Sequence, residues 1–408
     1  MRKDKIKLYG SYYHYKRRKA LVRNLITAFI LLVGIFTTLI ITNKLKLQDV
    51  VALFSIGDKG QTKLAEPFYL TQNNIGYSTH MSTVPIKGVY LPATNMGQLD
   101  ELISLAEETE VNGIVIDVKT DKGYLTFHTD NPKLKYSLRN NPSIANIKEV
   151  MDKLYRANIY PIARIVAFKD NVYTTAVPEQ AVQTKDGQVF KTSKGEQWLN
   201  PYDKRNWEYL LEIAKEAAEL GFKEIQFDYI RFHESMNGKE LNFPDDKKKS
   251  EIITEFTAYM VENLHPYGVK VSADVFGTII TSKIDAEIVG QDYKELIKHL
   301  DYICPMIYPS HYGEGSFGIS HPDLQPYELI LEVMQYSNMS ISDIPRNERV
   351  AKVRPWLQDF TASWLSQHQE YTDKQVREQI EATYDGLGSE WILWNGAGKY
   401  HKNALEKE

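Results

Sequence analysis

Eight short apolar runs, separated by stretches long enough for a helix and patterned like one, constrain this chain more than any other feature. The runs are KGVYLPAT (87–94), GIVIDVK (113–119), YPIARIVAF (160–168), EIQFDYIRF (224–232), KVSADVFG (270–277), DYICPMIYP (301–309), VRPWLQDF (353–360) and WILWNGAG (391–398). Helix-like segments fall between them at 98–110, 144–158, 207–221, 251–264, 292–300, 326–337 and 372–388. In the third of these, Leu210, Leu211, Ala214, Ala217 and Ala218 recur at helical spacing, and Gly221 stands where a helix would end. Strands alternating with helices in this way predict an α/β protein with a (β/α)8 TIM barrel rather than an open doubly wound sheet. No Gly-rich phosphate loop follows an early strand, which also argues against the open sheet. Only KYHKNALEKE follows the eighth run, so the closing helix should be missing or very short.

The segment before the barrel has a different composition. Residues 1–24 carry nine Lys or Arg against one acid, and LITAFILLVGIFTTLIIT (25–42) is uncharged and just long enough to cross a bilayer as a helix. Basic flanks stay in the cytoplasm, so the expected order is a cytoplasmic segment 1–24, a single transmembrane signal anchor 25–42, an extracellular stalk 43–83, and the barrel domain 84–408 outside the cell membrane. A cleaved signal peptide is the rival reading. Its apolar core would be shorter, and no small-x-small pattern follows Thr42. Beyond residue 24 the chain has 40 Lys and Arg against 52 Asp and Glu, about −12, a poor balance for neutralising nucleic-acid phosphates. The single cysteine, Cys304, excludes an intrachain disulfide.

Chemistry in such a barrel sits at the C-terminal ends of the strands. Reading each run with a period of two puts Asp117 and Lys119 on one parity of strand 2, Arg164 on strand 3, Gln226 and Asp228 on strand 4, and Ser272 and Asp274 on strand 5. Strand 6 offers Met306 and Tyr308, strand 7 Trp356 and Gln358, and strand 8 Trp394. Arg231 and Asp359 fall on the opposite parity but stay candidates, because strand ends bend. A strand-end aspartate often caps a helix or pairs with an arginine. Asp228 and Asp274, however, occupy matching positions on adjacent strands, which favours a shared cleft.

Two carboxylates facing one cleft allow one to donate a proton to a leaving oxygen while the other attacks or activates water, as glycoside hydrolysis requires. Asp228 and Asp274 are therefore the expected catalytic pair. Asp117, Lys119, Arg164, Gln226, Arg231, Tyr308, Trp356, Gln358, Asp359 and Trp394 are expected to contact substrate, and Tyr90 adds a further ring for sugar stacking. The ten histidines form no H-x-H, H-x-x-x-H or H-E-x-x-H pattern, so neither a metal nor another cofactor is expected. There is no G-x-S-x-G elbow, and Cys304 reads as a buried small residue rather than a nucleophile. A Schiff-base lyase would depend on Lys119. The Gly-rich loop HYGEGSFGISH (311–321) reads as a lid or substrate loop.

Five stretches, GVYLPATN (88–95), GIVIDVKTDKGYLTF (113–127), LNPYDKRNWEYLLEIAKEAAELGFKEIQFDYIRF (199–232), SADVFG (272–277) and DYICPMIYPSHYGEG (301–315), together resemble the bacterial "putative glycosyl hydrolase domain" family, formerly a domain of unknown function. The likeness runs from about residue 85 to 400. It implies a carbohydrate-active extracellular barrel with Asp228 in the place of the strand-4 catalytic carboxylate. Compared with amylase-like barrels, Gln226 stands where an arginine would precede that carboxylate, and Asp274 where strand 5 would offer a glutamate. The expectation is a membrane-anchored extracellular glycoside hydrolase acting on a cell-surface or extracellular polysaccharide. A non-catalytic carbohydrate-binding or scaffolding barrel at the cell envelope is the alternative.

Overall fold

A computed structural model of the chain describes residues 84–406. The strands are β1 (Lys87–Leu91), β2 (Gly113–Lys119), β3 (Tyr160–Val166), β4 (Glu224–Asp228), β5 (Lys270–Phe276), β6 (Tyr302–Met306), β7 (Lys352–Val353), β8 (Trp356–Gln358) and β9 (Trp391–Trp394). All pairings between them are parallel, and pairing of β5 with β6 and of β9 with β1 closes the sheet on itself. Both β7 and β8 pair with β6 and together form one stave, interrupted at Arg354 and Pro355 where proline has no N–H to give the ladder. The result is a closed barrel of eight staves, as the alternation of the sequence predicts.

The helices among the described residues are α1 (Leu99–Glu108), α2 (Ile147–Arg156), α3 (Asn171–Ala176), α4 (Lys204–Glu219), α5 (Lys249–Leu264), α6 (Lys283–Val289), α7 (Tyr293–Ile297), α8 (Pro326–Ser342) and α9 (Asp373–Asp385). Side-chain caps fix several starts: Asn146 accepts from Glu149 N, Asp203 from Arg205 N and Ser282 from Asp285 N. The expected helical stretches all contain a helix. Two short helices, α3 and α6, lie outside the expected stretches, in loops whose six or seven residues carry little 3.6-residue period. Among the described residues after β9, a 3-10 turn at Lys402–Ala404 packs back against α9, where the closing helix was expected to be missing or very short.

Apolar side chains separate into two layers. The larger lies between barrel and helices and includes Ile114, Ile116, Leu210, Phe227, Phe256 and Leu393; the smaller fills the barrel with Tyr90, Val115, Ile162, Tyr302, Cys304, Trp356 and Ile392. At the N-terminal end of the strands the filling is ionic. Arg354 donates to Glu224 Oε1 at 2.9 Å and to Glu390 Oε2 at 2.9 Å, and its guanidinium lies 3.7 Å from the Tyr302 ring centre. With all three charges buried, each is compensated inside the barrel.

The expected cytoplasmic segment 1–24, membrane span 25–42 and stalk 43–83 lie outside the described residues. Among the described residues no helix is long and apolar enough to cross a membrane.

Candidate active site

The C-terminal ends of β1 to β4 converge on one arginine. Asp117 and Arg164 are register partners on β2 and β3, and Asp228 closes β4 beside Val166. Arg164 reaches Asp117 Oδ1 at 2.7 Å and donates from Nε and a terminal nitrogen to Asp228 Oδ2 at 3.1 and 2.5 Å. Tyr90, on β1, donates its hydroxyl to the other Asp117 oxygen at 2.6 Å. Burial works against the Arg164 charge, but Asp228 and Asp117 outweigh it and hold the guanidinium firmly protonated.

Asp228 is fixed from its own backbone as well. Tyr229 sits at φ 53° and donates its N–H to Asp228 Oδ1 at 2.6 Å. A left-handed conformation is strained for a bulky residue, and here it ends β4 and turns the chain back toward the carboxylate. The apolar run continues to Phe232, but the strand stops at this turn, and Arg231 lies in the loop that follows.

Asp274, on β5, sits in a contrasting environment. It is 2% exposed and accepts the Trp356 indole N–H at 2.6 Å. Burial, reinforced by the neighbouring Asp228 charge, raises its pKa well above the ordinary carboxyl value, against the opposing pull of Trp356 and Arg164. Tyr308, just past β6, is likewise pushed up by burial and then by Asp274 and Asp228, so its hydroxyl stays protonated near both acids. One carboxylate paired to arginine and a neighbour whose protonated form burial favours is the kind of division of labour acid–base catalysis uses.

A cleft of about 410 Å³ opens above Asp228, within the range of small-ligand sites. Arg231, Glu234, Phe276, Tyr308, His311 and Tyr312 are among its walls. Gly277, beside Phe276, leaves no room for a Cβ against the Tyr312 hydroxyl and the Met306 carbonyl, so a glycine is needed there. Arg231 is 4.5 Å from the Phe276 ring centre and 5.2 Å from those of Trp198 and Tyr229. Its Nη1 lies 3.3 Å from Glu234 Oε2. Glu234 is half-exposed on the cleft wall, in a 3-10 turn that carries no strand periodicity, and sequence patterning gave no signal for it. His311 and Tyr312, from the Gly-rich loop, line the same space, and burial lowers the basicity of His311.

Five expected substrate contacts lie elsewhere. A register shift between Asp117 and Lys119 inverts the alternation, so Lys119 aligns with Ile165 instead of facing the axis. It is fully buried, 2.9 Å from Asp170 Oδ2, and donates to Val166 O at 2.7 Å. That placement removes it from the cleft and with it the lysine a Schiff-base lyase would use. Gln226 lies one layer below Asp228 and donates to Cys304 Sγ at 3.4 Å. Gln358 accepts from Ser310 N at 3.1 Å and donates to Asp323 Oδ1 at 3.1 Å, fastening two loops together. Asp359 accepts His401 N at 3.1 Å and pairs with His401 Nδ1 at 2.6 Å, anchoring the C-terminal segment. Trp356 supports Asp274 from inside the barrel, whereas Trp394 is partly exposed and stacks on Tyr90 at 6.4 Å. Cys304 is buried in β6 and its thiol is pushed up by that burial, as a structural cysteine should be.

A closed parallel barrel that gathers acids and rings at the C-terminal ends of its strands places the protein among the (β/α)8 enzymes of the glycosidase type. The chain belongs to the family described as "Putative glycosyl hydrolase domain", whose model matches residues 88–400. Among solved structures, a "hypothetical protein" from Ruminiclostridium thermocellum ATCC 27405 is 40% identical over 46% of this chain and 97% of its own, with a TM-score of 0.42. The PgaB (BpsB) glycoside hydrolase domain from Bordetella bronchiseptica is 14% identical over 77% of this chain and 95% of its own, with a TM-score of 0.55, a likeness of fold alone. No curated protein matches the chain at a significant level.

Proposed function

We propose that this protein hydrolyses glycosidic bonds of a cell-surface or extracellular polysaccharide, and that Asp228 is the carboxylate that acts on the sugar. The observation that carries the reading is that Asp228 lines the cleft while Arg164 and the Tyr229 N–H hold both of its oxygens in place. Membership of a glycosyl hydrolase family supports the reaction class. Asp274, neutral behind it, is the partner that holds a proton, and Asp117 shares the Arg164 charge. Tyr308 and Trp394 offer rings to a pyranose. The N-terminal basic and apolar segments support an anchor in the cell membrane, with the barrel outside.

One observation favours a second assignment of the acid. Asp274 lines no part of the cleft, whereas Glu234 does and is half-exposed. Glu234 would then protonate the leaving oxygen, and Asp274 would serve to position Asp228. The test is reducing-end release from bacterial surface polysaccharides by the full-length chain and its Asp228→Asn, Asp274→Asn and Glu234→Gln variants. Loss of activity in Asp228→Asn and Asp274→Asn with Glu234→Gln active supports the first assignment. Loss in Asp228→Asn and Glu234→Gln, with Asp274→Asn retaining part of its rate, supports the second. Full activity in Asp228→Asn contradicts both.

A further inference from the structure

An aromatic path leaves the cleft and ends on an exposed indole. Tyr308, a cleft residue, has its ring centre 6.0 Å from Trp394 and 6.1 Å from Phe360. Phe360 packs edge-on against Trp394 at 5.2 Å and lies nearly parallel to Trp364, 5.9 Å away with 21° between planes. His311, also of the cleft wall, meets Trp364 edge-on at 6.4 Å. Trp364 is 63% exposed, so one face is held by Phe360 and His311 while a large apolar area stays in water.

The loop that carries this indole is fastened at both ends. Ala362 and Tyr371 are buried, Tyr371 N donates to Thr361 Oγ1 at 3.0 Å, and Leu365 N donates to Ala362 O at 3.0 Å. Gln369 Nε2 donates to Asp323 O at 2.7 Å, and the Tyr371 hydroxyl donates to the same carbonyl at 3.2 Å. A fixed loop presenting a bare indole, continuous with the cleft through Phe360 and His311, has the form of a stacking platform. Flat aromatic faces match the C–H faces of pyranose rings, and the path gives the occupant a direction.

We propose that Trp364 is a remote binding site for a sugar unit of the same polysaccharide chain whose scissile bond lies over Asp228, so that the enzyme favours polymers over short oligosaccharides. This inference rests on the glycosidase reading above. Because the platform is separated from Asp228 by Phe360 and Tyr308, it contributes to holding long chains and takes no part in bond cleavage.

The experiment uses full-length protein with chitin, cellulose and purified peptidoglycan, each also as soluble fragments of two and of six sugar units. Reducing ends are measured for wild type, Trp364→Ala and Trp364→Phe, and binding to the insoluble polymers is measured in the Asp228→Asn background with and without Trp364→Ala. The expected result is that Trp364→Ala raises KM for polymer and six-unit fragments about tenfold. It should leave kcat and the two-unit KM at wild-type values, weaken polymer binding in the Asp228→Asn background, and be partly rescued by Trp364→Phe. Equal KM values for wild type and Trp364→Ala on an accepted polymer overturn the platform while leaving the glycosidase intact. A wild type inert on every probe overturns both. A thermal melt of Trp364→Ala matching wild type excludes misfolding as the cause of any loss.

Discussion

Arg164 lies between two carboxylates, 2.7 Å from Asp117 Oδ1 and 2.5 Å from Asp228 Oδ2, and so ties the ends of β2, β3 and β4 into one charged layer. Its side chain is 13% exposed and theirs are each 10%, so water screens the contacts only slightly. Arg164→Met leaves two adjacent acids without their shared cation and frees Asp228 to rotate. The expected effect is a fall in kcat of about 100-fold, the loss that slight misplacement of a reacting group produces. Arg164→Lys should recover only part of it, because an ammonium is a point charge and cannot copy the forked contact. Steady-state kinetics on any accepted polysaccharide, with KM and kcat separated, checks this; a change confined to KM contradicts it.

Asp274 makes stability depend on pH in a stated direction. Its carboxyl titrates higher in the folded chain than the ordinary value of 3.8, so above that value the folded state binds the proton more tightly than the unfolded one. Wild type therefore loses stability as the pH rises from about 4 towards the raised folded value. Asp274→Asn keeps the oxygen that accepts from Trp356 and cannot ionise. Its melting temperature relative to wild type should climb as the pH rises above about 4 and level off once the folded-state carboxyl of wild type has ionised. Thermal melts across that range measure it, and a difference independent of pH counts against the neutral acid.

Lys119 belongs to stability. Its buried ammonium faces Asp170, which also caps α3 by accepting from Tyr173 N at 2.7 Å. Burial lowers the basicity of Lys119 and the Asp170 charge opposes that. Lys119→Met strands the acid and is expected to cost about 3–5 kcal/mol. In denaturant titrations the midpoint should fall accordingly, while KM measured well below the melting temperature stays at the wild-type value. A raised KM with unchanged stability would return Lys119 to the cleft.

Period-two reading located most of the charged layer because barrel strands alternate strictly where they are regular: Asp117, Arg164, Asp228 and Asp274 meet as their parities require, and Tyr90, expected only as a stacking ring, joins them through Asp117. It failed at Lys119, where one register shift turns the side chain outward, and at Gln358, whose amide at the end of β8 is taken up by Ser310 and Asp323; Asp359 lies off the axis, as its parity required. Glu224 shares the parity of Asp228, but its partner Arg354 stands beside a proline that breaks its stave, so their ion pair had no local signal. Glu234 and Trp364 lie in irregular loops, whose positions depend on contacts distant in sequence such as those of Asp323 with Gln369 and Tyr371. The fold was legible from periodicity; of the cleft walls, the sequence pointed to Arg231, Tyr308 and the Gly-rich loop but not to Glu234 or Phe276.

Reducing-end release by wild type beside Asp228→Asn on the same polysaccharide decides whether Asp228 cleaves a glycosidic bond. The expected result is new reducing ends from wild type and a loss of at least about 1000-fold in Asp228→Asn with polymer binding retained, the scale on which catalytic groups act. Equal release by both proteins, or binding without release by either, contradicts it.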